Sequence, residues 1–578
     1  MCGISGAVGK VEYDVQTIGE VQAHRGPDNF GFFEDVEQQV LLCHNRLSII
    51  DLTVQANQPL TDNSGRFVII FNGEVYNYIE LREKIDNYFF KTRSDTEVVL
   101  AAYIKWGPDC LTHFIGMFSL AIWDKQEKKL FAARDRFGVK PFHFTVTKSS
   151  FFFGSEIKSL FAFGLSKEFD VQTWSTYLDT GMYDHSEFTF WKGAYRLLPG
   201  HYLTYSLADG LIISQWYDLP GIILKNGVDR REESQIVEEL TELLIDSVKL
   251  RFRSDVPVGI LLSGGLDSSL LWGLVEKAFG STGDINTFTF FTDSAVYDES
   301  DWVRKLLGAP TDKNHFCELR HQDVPQLCMD VQKYQEEPFG GFPTLAFSLL
   351  HKRAKEVGIK VLLDGNGIDE GWAGYDYYEQ ADKVLMEKGP VQSARSEISL
   401  SPCLNKDFRM RKRDFVFQSG TLDKMQDLQY RDIMFAKIPR AMRFADRVSM
   451  MHSRELREPM LDHRIIELGM AQPAINKIRN GVRKYLVRQA GKGLIKNNVL
   501  EATKRPVQTP QREWLKNELK SWTLDHIENV LSSEVRDWMD VDKVRSFWKH
   551  YQQHDIDNSF PVWQLVSLSL MLETKRSN

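Results

Sequence analysis

Residues 258–279 read VGILLSGGLDSSLLWGLVEKAF: an apolar run halts at a serine and two glycines, then restarts as a helix-forming segment. A buried strand that feeds a tight turn and then a helix is the building unit of a parallel, doubly wound sheet. Further apolar runs, INTFTFF (285–291) and IKVLLDG (359–365), flank a helical pattern, LAFSLLHKRAKEVG (345–358), so an α/β doubly wound domain is expected over 233–578. Paired glycines at such a turn let backbone N–H groups converge on an anion at the helix N-terminus. Ser263, Ser268 and Ser269 add hydroxyl donors beside Gly264 and Gly265. No Lys-Ser or Lys-Thr pair follows, so this is not a Walker A loop. Asp267 is the informative departure. A carboxylate in a phosphate cradle repels its ligand unless a cation stands between them, which points to Mg²⁺.

The first 205 residues have a different texture. Short strand-like runs such as RFVIIFNGEVYN, GMFSLAIWD and SFFFGSE alternate with turns, and SDTEVVLAAYIKWG forms a helix with Ser94 as its N-cap. A layered α+β sandwich is expected over 2–217. A linker is expected over 218–232, then an amphipathic helix, SQIVEELTELLIDSVKLRF. The tail beyond about residue 420 reads as mostly helical with a C-terminal helical part, and the polar stretch 387–420 reads as a mobile loop. There is no internal repeat. The 578 residues allow two to four domains.

Charge narrows the function classes. With 71 basic against 79 acidic side chains the net charge is −8, so no basic surface points to nucleic acid or a membrane. The six cysteines form no C-x-x-C pair, and no secretion signal or apolar run of membrane-spanning length is present, so a cytoplasmic location with reduced thiols is expected.

The chain opens MCGISGAVGK. If Met1 is removed, Cys2 carries both a thiol and a free α-amine. An α-amine with a pKa of about 7.7–8.0 is partly neutral near pH 7 and can serve as general base to the thiol.

The segment SGG-x-DSS resembles the pyrophosphate loop of ATP pyrophosphatases, which adenylylate a carboxylate or similar oxygen and release pyrophosphate. In the N-terminal half, RGPD (25–28), NRLSIID (45–51), FNGEVYN (71–77), SDTE (94–97) and RDRFGVKPF (134–142), behind Cys2, resemble the class II glutamine amidotransferase domain of Ntn-hydrolase type. That resemblance implies Cys2 as the nucleophile. It implies Asn72 and Gly73 as oxyanion donors, Arg46 as a clamp on the glutamine carboxylate, Glu74 and Asp95 as partners of its ammonium, and Leu47 and Ile50 in the same pocket. The two halves together resemble glutamine-hydrolysing asparagine synthetase. ADRVSMMHSRELREPMLDHRIIELGM (445–470) and GVRKYLVRQA (481–490) match the family's C-terminal segments and place Lys484 at its active-site lysine. DGNGIDEGWAGY (364–375) matches its acidic, glycine-rich segment, which makes Asp369 the second Mg²⁺ ligand opposite Asp267 and sets Leu262, Phe290, Asp364 and Gly365 near the adenylate.

The resemblance implies ATP and glutamine as co-substrates and a carboxylate as acceptor, aspartate by default, with a homodimer left open. Other acceptors stay open: a uronic acid of a nucleotide sugar or surface polysaccharide, or an intramolecular amide as in β-lactam-forming relatives. A non-enzyme reading, a stress protein with a degenerate synthetase domain, fits poorly with Asp267, Asp369 and Lys484 all in place. One departure bears on the acceptor. The family usually carries an acid between the two glycines that are here Gly365 and Gly367, and this chain has Asn366. An amide cannot accept a proton at ordinary pH. Three outcomes are open: Glu337 or Glu370 takes the role of the missing acid, the acceptor differs from aspartate, or synthesis is slow or absent. The expectation is that aspartate is a poor acceptor while glutamine is still hydrolysed.

Overall fold

The computed structural model describes residues 2–280, 283–308, 311–381, 384, 399–415, 417, 423–502, 509–554 and 558–577. Two six-stranded antiparallel sheets form the N-terminal half. The first runs in the order Tyr195–Arg196, His143–Val146, Ser150–Gly154, Gly3–Gly9, Val40–Arg46, Asn29–Asp35. The second runs Gly210–Gln215, His201–Ser206, Lys129–Arg134, Gly116–Asp124, Phe67–Val75, Leu60–Thr61. Alternation along the strands decides how they stack. Ile4, Val8, Leu42 and Phe153 of the first sheet share one apolar cluster with Val68, Ile70, Ala121 and Trp123 of the second, so the two sheets face each other. Residues of opposite parity point outward: Ile69, Phe71 and Leu120 pack on helix Asp95–Trp106, while Ala7, Leu41 and Phe152 pack on helices over 157–180. The result is a helix–sheet–sheet–helix stack with Cys2 at the start of a central strand.

The C-terminal half is the expected parallel sheet. Its strands are ordered Asn314–Glu318, Asn286–Phe291, Val258–Leu261, Val361–Leu363, Glu455–Arg457, all parallel. Helices Glu233–Arg251, Leu266–Phe279 and Phe342–Glu356 cover it. The edge strand Glu455–Arg457 lies inside a stretch read only as helical; its three residues are too few to show a period in the sequence.

Two expectations change. Half of the 218–232 linker is a helix, Leu219–Asn226: the Asp218 side chain accepts from Gly221 N, Pro220 sits in the first turn, and Leu219 and Ile223 are buried. Residues 387–398 lie outside the described residues, but 401–409 is not a mobile loop. Its two short helical turns bury Cys403, Leu404 and Phe408, and the Phe408 ring stacks on Trp538 at 4.7 Å.

The halves are joined by buried charges. Arg25, fully buried, donates to both Asp446 oxygens at 2.8 and 3.0 Å and to Glu156 at 2.9 Å, while its Nε donates to the Cys2 carbonyl at 3.0 Å. Arg447 lies 3.0 Å from Glu156 and 3.2 Å from Glu336, whose carboxylate accepts the Ile157 and Lys158 N–H groups. Removing one member of a buried ionic cluster strands the others without compensation. Arg25→Leu is therefore expected to cost about 3–5 kcal/mol, measured as a fall in the denaturant midpoint, while an exposed control such as Arg545→Leu stays within about 1 kcal/mol.

Candidate functional site

Two pockets hold the residues singled out by sequence. The first opens beside Cys2 and is lined by Arg46, Leu47, Ile50, Gly73, Glu74 and Asp95 among others. Asn72 stands behind it, where its Oδ1 accepts from the Cys2 nitrogen at 3.0 Å. This leaves the Nδ2 amide as the free-handed end; it reaches Ser119 Oγ only at 3.5 Å. Gly73 has no room for a side chain, since a Cβ would strike the Met117 carbonyl. Burial pushes the Cys2 thiol up, against the pull of the Leu47 N–H and the Arg46 guanidinium.

Arg46 lies in this pocket, but its terminal nitrogens are already engaged. They donate to the carbonyls of Thr53 (2.8 Å), Ile50 (3.5 Å) and Asp51, and to Asn57 Oδ1 (2.7 Å). A bidentate grip on a carboxylate needs part of that loop to give way. The acidic pair is better prepared. Asp95, at the N-terminus of helix Asp95–Trp106, accepts from Val75 N at 3.0 Å, and Glu74 Oε2 is buried with no hydrogen-bond partner. Burial raises both carboxyls: Asp95 to about 6, with Glu455 adding to the shift, and Glu74 well above its usual range, with Asp95 adding to it.

Sequence reading missed two residues that reach this pocket from the other half. Arg457, wholly buried, comes within 3.6 Å of Glu74 and pairs through Nε with Glu455 at 2.5 Å. Both lie in SRELREP, within a matched segment, but no local pattern shows that an edge strand of one domain faces a pocket of the other.

The second pocket, a cavity of about 300 Å³, sits at the C-terminal edge of the parallel sheet, where open α/β sheets bind ligands. Ser263, Gly264, Gly265, Asp267 and Ser268 form one wall. Gly264 has φ +73°, and a Cβ there would meet Trp302 Cβ at 2.7 Å, so the turn requires glycine. Helix Leu266–Phe279 starts at Gly265 without a side-chain cap, which leaves its first N–H groups for an anion. Ser263 Oγ and Ser268 Oγ lie 3.1 Å apart beside it. Ser269 does not join them: it is fully buried, outside the cavity lining, and its hydroxyl has no partner there. Leu262, Phe290 and Phe347 make an apolar wall that suits an aromatic base, and Asp364, Gly365 and Asn366 close the floor.

Lys484 holds the two expected metal ligands together. Its Nζ lies 2.6 Å from both Asp267 oxygens and 2.6 Å from Asp369 Oδ1. Burial opposes its charge, but the two carboxylates outweigh it and raise its pKa. The backbone is left-handed at this residue, with φ +55°, a conformation that costs a non-glycine residue of order 1–3 kcal/mol. Gly374 makes the room, because a Cβ there would collide with the Asp369 carboxylate and Lys484 Cε. Two carboxylates facing one cation suit a Mg²⁺ bound through a pair of acids and substrate phosphates. Among the described residues no group of three or more His, Cys, Asp or Glu forms an all-protein cage.

A strand–turn–helix anion cradle under a lysine–carboxylate cluster, joined to a separate pocket behind Cys2, defines a two-site enzyme. Family models agree on each half: a glutamine amidotransferase domain matches residues 1–217, and asparagine synthase matches residues 239–574. The chain belongs to the glutamine-hydrolysing asparagine synthetase family and is an ATP-using, glutamine-dependent amidotransferase of that type. Asparagine synthetase [glutamine-hydrolyzing] 1 of Bacillus subtilis is 28% identical over 98% of this chain and 95% of its own length. Asparagine synthetase [glutamine-hydrolyzing] 3 of the same organism is 30% identical over 88% and 86%. Amidase chry2 of Gibberella zeae is 31% identical over 66% of this chain and 58% of its own length. Among the described residues no helix is long and apolar enough to cross a membrane.

The acids beside Cys2 carry a pH signature. If Asp95 meets the glutamine ammonium, only its ionised form binds. With its pKa raised to about 6, KM for glutamine is expected to rise as pH falls through 6, with kcat changing less. A KM flat from pH 7 to 5 would separate Asp95 from the ammonium.

Proposed function

We propose that the chain transfers the amide nitrogen of glutamine to a carboxylate activated by ATP, with aspartate as the acceptor and asparagine as the product. The observation that carries this reading is the joining of the two pockets through one residue: the Arg457 side chain faces Glu74 of the Cys2 pocket, and its carbonyl accepts the Asp364 N–H, 3.0 Å away, at the floor of the second cavity.

In the first pocket Cys2 is the nucleophile. With Met1 removed, its amine takes the thiol proton, and Asn72 Oδ1 orients that nitrogen. Sγ adds to the glutamine amide carbon, the oxyanion meets Asn72 Nδ2 and the Gly73 N–H, and ammonia leaves; water then releases glutamate from the thioester. Leu47 and Ile50 shape the pocket, Arg46 takes the carboxylate of glutamine once its loop yields, and Glu74 and Asp95 take the ammonium. In the second cavity the adenine lies against Leu262 and Phe290, and the phosphates meet the N–H groups around Gly264 and Gly265 and the Ser263 and Ser268 hydroxyls. Asp267 and Asp369 would hold Mg²⁺, which when bound neutralises phosphate charge. Lys484 faces the departing pyrophosphate, where a cation stabilises developing negative charge. The functional units are taken as 2–217 and 233–578, in the cytoplasm, with a homodimer as the working assembly.

Asn366 alone speaks against aspartate because it removes an acid. The structure places another acid beside it: Asn366 Nδ2 donates to Asp364 Oδ2 at 2.6 Å. An acid next to Asn366 supports keeping aspartate as the proposed acceptor. The deciding experiment incubates the protein with ATP, Mg²⁺ and glutamine across a panel of carboxylates and follows pyrophosphate and amide. Aspartate is expected to give stoichiometric asparagine, AMP and pyrophosphate. Turnover with a uronic acid and none with aspartate would replace the acceptor and keep the rest.

Two variants separate the sites. Cys2→Ala is expected to lose glutamine hydrolysis and keep amide formation from added ammonium. Asp267→Asn is expected to do the reverse, with carboxylate-dependent pyrophosphate release reduced at least about 100-fold, within the range a charge-stabilising group contributes.

A further inference from the structure

Asp364 has no assigned part in the reaction beyond lying near the adenylate, yet its surroundings are built. Its Oδ1 accepts from the Gly365 N–H at 2.6 Å and its Oδ2 from Asn366 Nδ2 at 2.6 Å. Those two donors fix the carboxylate plane and leave a second lone pair on each oxygen. The residue lines the nucleotide cavity. It also stands at the end of that cavity nearest the glutamine pocket, because its N–H is paired to the carbonyl of Arg457, whose guanidinium faces Glu74.

The acid expected at position 366 and the amide found there are explained together by an exchange. An acid at 366, held where Asn366 lies, would face the Asp364 carboxylate at hydrogen-bond distance, and two such groups cannot both ionise. With an amide at 366 the contact becomes donor to acceptor. The side chain that can take a proton is then two residues upstream.

Resting on the proposed amide-forming reaction, we propose that Asp364 is the catalytic base of the synthetase site, accepting the proton lost when ammonia adds to the acyl-adenylate, with Asn366 as the positioning residue that orients it. The nitrogen lone pair forms the C–N bond at the acyl carbon. One N–H proton passes to Asp364. The bond from carbon to the adenylate oxygen breaks, and its electron pair leaves with AMP. The amide departs, and Asp364 returns its proton to water. The basicity is suitable: burial lifts the Asp364 carboxyl to about 6, with the Asp267 charge adding to it against the pull of the Gly365 N–H, and a general base works best with a pKa near the operating pH. The charged groups that face it are Asp267 at the phosphate loop and Glu458 after strand Glu455–Arg457. Burial raises Glu458 to about 8, with Lys140 opposing and Asp364 adding to the shift.

The test compares wild type, Asp364→Asn and the exchanged double variant Asp364→Asn with Asn366→Asp, using ATP, Mg²⁺, aspartate and ammonium chloride. Amide formation and aspartate-dependent ATP–pyrophosphate exchange are measured separately, and glutamine hydrolysis reports that the protein is folded. Asp364→Asn is expected to lower amide formation by about 10²–10⁴-fold and exchange far less. The double variant, which restores an acid at 366, is expected to recover at least about tenfold of the loss, a small part of what a general base contributes. Amide formation at the wild-type rate in Asp364→Asn would overturn the proposal, as would exchange falling as far as amide formation, which would make Asp364 a nucleotide-binding group. If Asp364→Asn loses glutamine hydrolysis as well, Asp364→Ser takes its place under the same criteria. A wild type with no carboxylate-dependent exchange across the panel would overturn the amide-forming reading itself, and this proposal with it.

Discussion

The Arg25 guanidinium is the point on which both halves bear. It is wholly buried, so its charge is tolerable only because Asp446 and Glu156 surround it. Its Nε–H holds the carbonyl of Cys2. The backbone that carries the thiol is thus held by a side chain that also pairs with the second domain, because Asp446 belongs to helix Ile438–Met451. Dry ionic clusters of this kind add little net stability compared with apolar packing, but they tolerate only one arrangement of their members. Placement of the Cys2 backbone and docking of the domains are therefore a single structural event.

The parallel sheet extends this coupling. Its edge strand, Glu455–Arg457, supplies Arg457 to the glutamine pocket through a side chain and to the nucleotide cavity through a main-chain carbonyl. On the far side of the cavity the left-handed backbone at Lys484 brings its ammonium between Asp267 and Asp369, and the missing side chain at Gly374 leaves space for it. At this site strain and close approach serve the handling of charge. The long helices and the two-sheet core rest chiefly on alternating apolar residues.

The parts legible from sequence were those whose chemistry is local. The SGGLDSS turn, Ser94 as an N-cap and the strand at 258–261 all follow from contiguous residues, and the structure contains each. Cys2, Arg46, Gly73, Glu74 and Asp95 were brought together by resemblance to a family pattern, and they share one pocket. What failed to show was set by contacts distant in the chain. The Arg46 guanidinium is occupied by a loop whose shape the sequence does not display. Ser269 turns inward because helical rotation carries it off the cavity wall, although its neighbour Ser268 stays there. The linker helix at 219–226 was hidden by its glycine and proline, which here serve a cap. Glu455 and Arg457 lie some 380 residues from the pocket they reach.

The cluster around Lys484 has an electrical consequence. Among the described residues, the charged side chains lining the nucleotide cavity are four acids, Asp267, Glu299, Asp364 and Asp369, and three bases, Arg483, Lys484 and Arg488, a formal sum of −1 with all of them ionised. A bare triphosphate approaching that cavity meets a field of its own sign. One divalent cation between Asp267 and Asp369 would reverse the sum to +1. On that count the cavity would receive a metal–nucleotide pair better than free nucleotide, and Lys484 bridges the two carboxylates in the meantime.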